Sequence, residues 1–203
     1  MKIILGIDFD NTIINYEKAF INIAKKFNLK KNKKNISKKL IKNYFIKNHR
    51  EREWTKLQGI IYGKKIFQGQ PFPHLKKSLN KFLSYNELNI VSHRTIKPII
   101  GGDENLHNLA KSWLIQNKII NNNKNFEINK NVFFETTVKK KIKRIIDLKC
   151  SHFIDDLPEI LEALPSKIIK ILFNPQKKNT KFISMYSWKE LEEIMNDEKK
   201  KYI

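Results

Sequence analysis

The stretch that decides the fold is Lys2-Ile3-Ile4-Leu5-Gly6-Ile7-Asp8-Phe9-Asp10-Asn11-Thr12. Its first six residues are mostly apolar and rich in isoleucine, which is typical of a short buried strand in a parallel sheet. The strand ends at two aspartates separated by a single residue. Because ligands of open parallel sheets bind beyond the carboxyl ends of the strands, the stretch predicts acidic side chains at a ligand-binding edge.

A second acidic pair ends another apolar segment, Phe153-Ile154-Asp155-Asp156. Acidic residues are scarce in this chain, with 20 Asp and Glu against 41 Lys and Arg, so two acidic clusters at strand ends are informative. Carboxylates brought together there repel one another unless a cation joins them, and oxygen ligands favour Mg²⁺. A single aspartate would be explained as the cap of the following helix, but two such pairs favour a metal site.

The remainder of the chain alternates between helical and strand patterns, which predicts an α/β fold with a Rossmann-like parallel sheet. The predicted later strands are 88–91, 132–134, 153–154 and 168–173, and the predicted helices between and after them are 75–83, 106–116, 138–148, 157–164 and 187–196. Residues 30–35 and 121–130 read as polar loops.

The segment from residue 15 to residue 74 lacks this alternation and contains three helical patterns, at 16–27, 36–46 and 51–62. We therefore expect an α/β core of residues 1–14 and 75–203, interrupted by a helical insertion of residues 15–74. A length of 203 residues is sufficient for one domain with such an insertion.

Several classes of protein are disfavoured by composition. The apolar runs are far shorter than the roughly 20 residues that span a bilayer, so no membrane partner is expected. The opening apolar segment is interrupted by aspartates before it could form a signal peptide. A single cysteine, Cys150, rules out an intramolecular disulfide framework. The predicted location is the cytoplasm.

The formal net charge of +21 raises the possibility of a nucleic-acid partner. Only four of the cationic residues are arginines, however, and arginine is the residue best suited to bidentate recognition of phosphates and bases. Lysine is also enriched together with asparagine and isoleucine along the whole chain, as an AT-rich coding sequence would produce. We therefore do not favour nucleic acid as the partner and expect a small anionic substrate.

Four short segments together resemble the motifs of the haloacid dehalogenase (HAD) superfamily of hydrolases. The first is the strand ending in Asp8-Phe9-Asp10-Asn11-Thr12, and the second is Asn89-Ile90-Val91-Ser92, a strand ending in serine. The third motif is a lysine near a helix start, for which Lys139-Lys140-Lys141 offers three candidates. The fourth is Phe153-Ile154-Asp155-Asp156, an apolar strand ending in paired acids.

The resemblance implies a mechanism of phosphoryl transfer. Asp8 would be the nucleophile that becomes an aspartyl-phosphate, and Asp10 would be the general acid and then the general base. Mg²⁺ would be held by the Asp8 side chain, the Asp10 backbone carbonyl and Asp155, with Asp156 holding a metal-bound water or orienting the other ligands. The dehalogenases that gave the superfamily its name lack the second aspartate, so Asp10 favours phosphoryl transfer over carbon–halogen cleavage.

The resemblance also assigns phosphate-binding residues. Ser92 would donate a hydrogen bond to a phosphate oxygen, and the backbone amides of Phe9 to Asn11 would form a small anion nest. Apart from the resemblance, Arg94 lies two residues after Ser92 and would be an additional anion clamp or, equally well, an ordinary loop residue.

The choice among the three lysines of the third motif can be narrowed by their positions on the helix. The apolar stripe of that helix contains Val138, Ile142, Ile145 and Ile146. At about 100° per residue, Lys139 and Lys141 flank the stripe and Lys140 points nearly opposite. We choose Lys141, with Lys139 as the alternative.

The expected function is that of a Mg²⁺-dependent phosphatase for a small phosphomonoester such as a sugar phosphate or a nucleotide. The insertion lies where the superfamily often places a helical cap that excludes water and selects the substrate. Within it, Trp54 and Leu57 are expected to pack, and Lys56 and Gln58 are candidate substrate contacts. The alternatives are a phosphatase for nucleic-acid ends, a non-catalytic nucleic-acid-binding protein on the same scaffold, and phosphotransfer to an acceptor other than water.

Overall fold

The computed structural model describes residues 2–26, 37–120 and 123–200. Its strands, in chain order, are β1 (Ile4–Ile7), β2 (Ile14–Asn15), β3 (Gln70–Pro71), β4 (Glu87–His93), β5 (Val132–Glu135), β6 (His152–Asp155), β7 (Ile169–Phe173) and β8 (Ile183–Met185). Six of them form a parallel sheet in the order β5-β4-β1-β6-β7-β8, and β2 and β3 form a separate antiparallel pair. The predicted Rossmann-like α/β core is therefore confirmed.

The helices in chain order are α1 (Glu17–Lys26), α2 (Lys38–Lys47), α3 (Glu51–Tyr62), α4 (Leu75–Leu83), α5 (Leu106–Gln116), α6 (Ile128–Asn131), α7 (Val138–Asp147), α8 (Pro158–Ala163) and α9 (Leu191–Lys200). Two short 3₁₀ turns occupy Ile66–Gln68 and Trp188–Glu190. Among the described residues, none of the helices combines the length and the apolar character that crossing a membrane requires.

The sheet is buried on both faces, as its nearly continuous apolar strands predict. Alternate side chains of β1 point to opposite faces, so Leu5 and Ile7 join the core formed with α4, α5 and α9, and Ile4 packs toward the core formed with α7 and α8. Gly6 lies on the second face, where an added Cβ would be 2.5 Å from Cδ2 of Phe153. A side chain at this position would clash with the ring of Phe153, which packs against the β1 backbone here.

The first three helices are inserted between β2 and β3. These two strands pair antiparallel, with Ile14 opposite Pro71 and Asn15 opposite Gln70, so the chain leaves the core and returns to it at one place. Buried aromatic side chains of the insertion, Phe20, Phe45 and Trp54, continue the larger core without a break. Whether residues 15–74 form a domain of their own stays a prediction.

The structure adds elements that the sequence patterns did not predict. Strands β2 and β3 have two residues each and β8 has three, which is too short for an alternation of apolar and polar residues to be recognised. The predicted loop at 121–130 contains most of α6, and its first two residues lie outside the described part of the chain. Residues 27–36, which include the predicted connector at 30–35, also lie outside it.

We predict that Trp188→Phe destabilises the protein more than Trp54→Phe. Both indoles are almost fully buried, but only the Trp188 Nε1 donates a hydrogen bond to a described residue, at 3.2 Å from the Thr12 carbonyl in the loop after β1. Its loss leaves a buried carbonyl unsatisfied, at a cost of about 1–3 kcal/mol. Urea unfolding of the two variants measures the difference, and equal losses of unfolding free energy would contradict the prediction.

Candidate active site

The candidate site lies where the carboxyl ends of β1, β4 and β6 meet. Ile7 at the end of β1 is paired with Ile90 of β4 on one side and with Ile154 of β6 on the other. The residues that follow therefore arrive at the same edge of the sheet. Asp8 and Asp155 reach this edge almost completely buried, at 4% and 0% exposed.

One lysine joins the two buried aspartates. Lys141 Nζ lies 2.6 Å from Asp8 Oδ1 and 2.6 Å from Asp155 Oδ2. Asp8 Oδ1 also accepts a hydrogen bond of 2.8 Å from the Ser92 hydroxyl. The other oxygen of Asp8 has no hydrogen-bond donor among the described residues and is free for chemistry.

The position of Lys141 follows from the start of α7. The Thr137 side chain caps this helix by accepting a hydrogen bond from the backbone amide of Lys140. Lys141, one turn into the helix, points inward and is only 2% exposed, whereas Lys139 and Lys140 are exposed. The structure therefore places Lys141, the preferred of the two candidates, beside the predicted nucleophile.

Three carboxylates gather at this point. One oxygen from each of Asp8, Asp155 and Asp156 lies within 4.8 Å of the others. Within the described part of the chain, Lys141 is the one cation paired with them, so the cluster has more negative than positive charge. Oxygen donors with a surplus of negative charge are what Mg²⁺ requires, and these residues fit such an ion.

Burial, more than the neighbouring charges, shifts the pKa values of the cluster. Burial, together with the charge of Asp8, raises the pKa of Asp155 to about 7, against the opposing effect of Lys141. Burial and the neighbouring Asp8 and Asp155 raise the pKa of Asp156 well above its ordinary value. Burial alone would lower the pKa of Lys141, but the two aspartates more than offset it and raise that pKa. The lysine is therefore held in its charged form.

Asp10 is held by a separate network. Arg94 Nη1 lies 2.7 Å and 2.8 Å from the two carboxylate oxygens, and the Tyr16 hydroxyl donates to Oδ1 at 2.6 Å. The remaining nitrogens of Arg94 donate to the backbone carbonyls of Tyr62, at the end of α3, and Leu106, at the start of α5. Every nitrogen of the guanidinium thus has a protein partner, and the binding of phosphate by Arg94 stays a prediction.

The loop between the aspartates makes a tight turn at Asn11, whose φ is +61°. The Asn11 amide donates to the Ile14 carbonyl at 2.9 Å, so this member of the predicted anion nest is engaged within the turn. The amides of Phe9 and Asp10 have no acceptor among the described residues. The predicted phosphate site in this loop therefore depends on those two amides.

A cavity of about 530 Å³ opens above these groups, between the sheet edge and the inserted helices. Of the two candidate substrate contacts, Gln58 lines this cavity, whereas Lys56 packs beside Gly101 outside it. The inserted helices also bring Lys38 and Tyr62 to the cavity, which the sequence patterns did not indicate. Nothing in the spacing of these two residues distinguishes them from the many other lysines and aromatics.

No family model matches the sequence, and no curated protein matches it. Several solved structures are similar to the structure of this chain. A HAD-superfamily hydrolase of subfamily IA from Geobacter sulfurreducens is 11% identical, with a TM-score of 0.58 and 96% of each chain covered. YfnB of Bacillus subtilis, described as a HAD hydrolase bound to magnesium, is 12% identical, with a TM-score of 0.59 and coverage of 96% of this chain and 99% of YfnB.

A third structure, described as a haloacid dehalogenase-like hydrolase from Burkholderia xenovorans, is 10% identical with a TM-score of 0.54, and 97% of each chain is covered. At such low identities a likeness establishes the fold. The chain therefore has the fold of the HAD-superfamily hydrolases over nearly its whole length.

We predict that Mg²⁺ raises the melting temperature of the wild-type protein and that Asp155→Asn removes most of this increase. An ion that binds only the folded state at 100 times its Kd stabilises that state by about 2.7 kcal/mol. Asp147→Asn is the matched control, because Asp147 is exposed and, among the described residues, forms its ion pair with Lys143. Thermal unfolding with and without Mg²⁺ measures the shift, and an undiminished shift in Asp155→Asn would argue against this metal site.

Proposed function

We propose that the protein is a Mg²⁺-dependent phosphatase of the HAD superfamily that cleaves a small phosphomonoester, such as a sugar phosphate or a nucleotide. The observation that carries the proposal is the environment of Asp8. Its Oδ1 accepts hydrogen bonds from Ser92 and Lys141, beside Asp155 and Asp156. Two residues after Asp8 in the sequence, the Asp10 carboxylate is held by Arg94. This fold and this arrangement together support nucleophilic attack on phosphorus.

In the first step, the free oxygen of Asp8 attacks the phosphorus atom and forms an aspartyl-phosphate. The bond between phosphorus and the ester oxygen breaks, and Asp10, which enters this step in its protonated form, gives its proton to the departing alcohol. In the second step, Asp10 takes a proton from a water molecule that attacks the same phosphorus. The bond to Asp8 breaks, inorganic phosphate leaves, and both aspartates return to their starting states.

Electrostatics makes the attack of one anion on another feasible. Lys141 and Ser92 hold Oδ1 of Asp8 and so leave the other oxygen to react. The Lys141 ammonium also reduces the repulsion between Asp8 and the incoming phosphate. When bound by Asp8, Asp155, Asp156 and the Asp10 carbonyl, Mg²⁺ would supply further positive charge at the transferred group.

Arg94 positions Asp10 in this proposal. The guanidinium contacts both oxygens of the carboxylate, and its other nitrogens tie it to backbone carbonyls of α3 and α5. Contact with both oxygens, from a guanidinium whose other nitrogens are also bonded, defines the orientation of the carboxylate better than a single hydrogen bond does. Asp10 would thereby be kept near the ester oxygen that it must protonate.

The comparisons support the proposal in two ways. The structurally similar YfnB is described as bound to magnesium, and the other matched structures are described as hydrolases. One of them is described as dehalogenase-like, so the choice of phosphate ester over carbon–halogen bond rests on the second aspartate, Asp10. The helices at residues 15–74, which line the cavity, are proposed to act as the substrate-selecting cap.

We expect Asp8→Asn to abolish hydrolysis of p-nitrophenyl phosphate and of a panel of sugar phosphates and nucleotides, since an amide cannot form the aspartyl-phosphate. Asp10→Asn should lower kcat by roughly 100- to 10,000-fold, as expected for loss of a general acid–base group. Rates are measured with Mg²⁺ and with EDTA, and Asp147→Asn serves as the control. The proposal would be contradicted if Asp8→Asn hydrolysed these substrates as fast as the wild type does. It would also be contradicted if EDTA left the rate of the wild-type protein unchanged.

We expect Arg94→Lys to lower kcat by roughly 10- to 100-fold with little change in KM. Lysine keeps the charge but has a single nitrogen in place of the three that bond to Asp10, Tyr62 and Leu106, so Asp10 would be less well oriented. Steady-state kinetics on the best substrate of the panel separates the two parameters. A raised KM with an unchanged kcat would show instead that Arg94 binds the substrate phosphate.

A further inference from the structure

Lys38, the first residue of α2, places in the cavity an ammonium that forms no ion pair with a carboxylate of the described residues. Its Nζ lies 3.2 Å from Asn11 Oδ1 and 3.2 Å from the Tyr62 hydroxyl. Both partners are neutral oxygens, and no carboxylate of the described residues forms an ion pair with this ammonium. Lys141 and Arg94, by contrast, are already paired with aspartates. Lys38 is therefore a charge available to a ligand.

The backbone around Lys38 holds this side chain in place. The Ser37 side chain caps α2, and the Glu17 carboxylate of α1 accepts a hydrogen bond of 3.1 Å from the Lys38 backbone amide. The ammonium lies 5.2 Å from the ring centre of Phe20 and 5.7 Å from that of Tyr62. Aromatic faces favour a cation at such distances, so the ammonium is directed over the loop that follows β1.

A count of charges shows what Lys38 could bind. The three clustered carboxylates are balanced by Lys141 together with one divalent cation, and each nitrogen of Arg94 already has a protein partner. A phosphomonoester then brings up to two further negative charges. The remaining cavity-lining lysines are Lys38 and, one turn later on α2, the exposed Lys42. Of these two, Lys38 is the one that contacts the Asp8–Thr12 loop, through Asn11.

Lys38 is charged in spite of its burial. Burial alone would lower its pKa, but the Tyr62 hydroxyl and the carboxylates of Asp156 and Asp10 outweigh that effect and raise the pKa above its ordinary value. The same two carboxylates show that the ammonium lies within electrostatic reach of the site where the phosphate would be bound.

We propose that Lys38 binds the phosphate group of the substrate, so that the inserted helices supply part of the phosphate site. This inference rests on the proposed phosphatase function and adds a binding residue to it. It explains why the ammonium is held over the reactive loop by partners that, within the described part of the chain, are neutral. Full affinity for phosphate would then require α2 to be docked on the core.

The test is a calorimetric titration with inorganic phosphate in the presence of Mg²⁺, which requires no turnover. We expect Lys38→Gln to weaken phosphate binding by about 10- to 100-fold, the usual effect of losing a hydrogen bond to a charged group. Glutamine can still bond to Asn11 and Tyr62, so the variant should fold. Lys38→Arg should keep the affinity within a few-fold, and Lys39→Met, at the exposed next position of α2, should leave it unchanged.

Each other outcome is decisive. If Lys38→Gln binds phosphate as tightly as the wild type does, the role of Lys38 is refuted, whether or not its melting temperature falls. If Lys38→Gln weakens only substrates with a second anionic group, Lys38 recognises the leaving group and the proposal is wrong. If the wild type hydrolyses no phosphomonoester of the panel and binds no phosphate, the proposed function itself fails.

Discussion

The ion pairs of Lys141 with Asp8 and Asp155 are the interaction on which the candidate site depends. They link the helix α7 to the ends of β1 and β6 in a place from which water is nearly excluded. Oxygens of the two buried carboxylates lie within 4.8 Å of each other and would repel one another without the ammonium between them. Burying any of the three charges alone would be costly. The lysine thus allows two aspartates to be buried together at the carboxyl ends of the strands while the sheet stays folded. Asp156 leaves the edge with a surplus of negative charge, which a divalent cation would compensate.

Much of this arrangement could be predicted because its signals are local in sequence. Helices α3, α4 and α5 have the bounds that their apolar periodicity predicts, and the core strands are found where apolar runs end in polar residues. The convergence of Asp8 and Asp155 follows from parallel pairing, since neighbouring parallel strands end at one edge. The angle around a single helix disfavours Lys140, but it leaves Lys139 and Lys141 open, and the choice between them comes from the structure.

The rest of the site depends on contacts that no local pattern encodes. Arg94 was expected to be either an anion clamp or an ordinary loop residue, and in the structure its nitrogens are shared among Asp10 and two backbone carbonyls. Lys38 and Tyr62 reach the cavity only because the inserted helices fold back over the sheet. Their positions are set by tertiary packing of aromatic side chains, for which one lysine or tyrosine among many gives no signal.

The short ladder between β2 and β3 has a consequence for how such a protein can change over time. Because Asn15 and Gln70 are paired, the two ends of the insertion lie only about 5 Å apart. The antiparallel pair β2–β3 therefore fixes both ends of the insertion at one place on the core. The entropic cost of a longer loop grows slowly with its length. Residues between the two strands can therefore be exchanged, lengthened or shortened while the acidic edge keeps its geometry. Such changes are constrained by the insertion residues that contact the site, which are Tyr16, Lys38 and Tyr62.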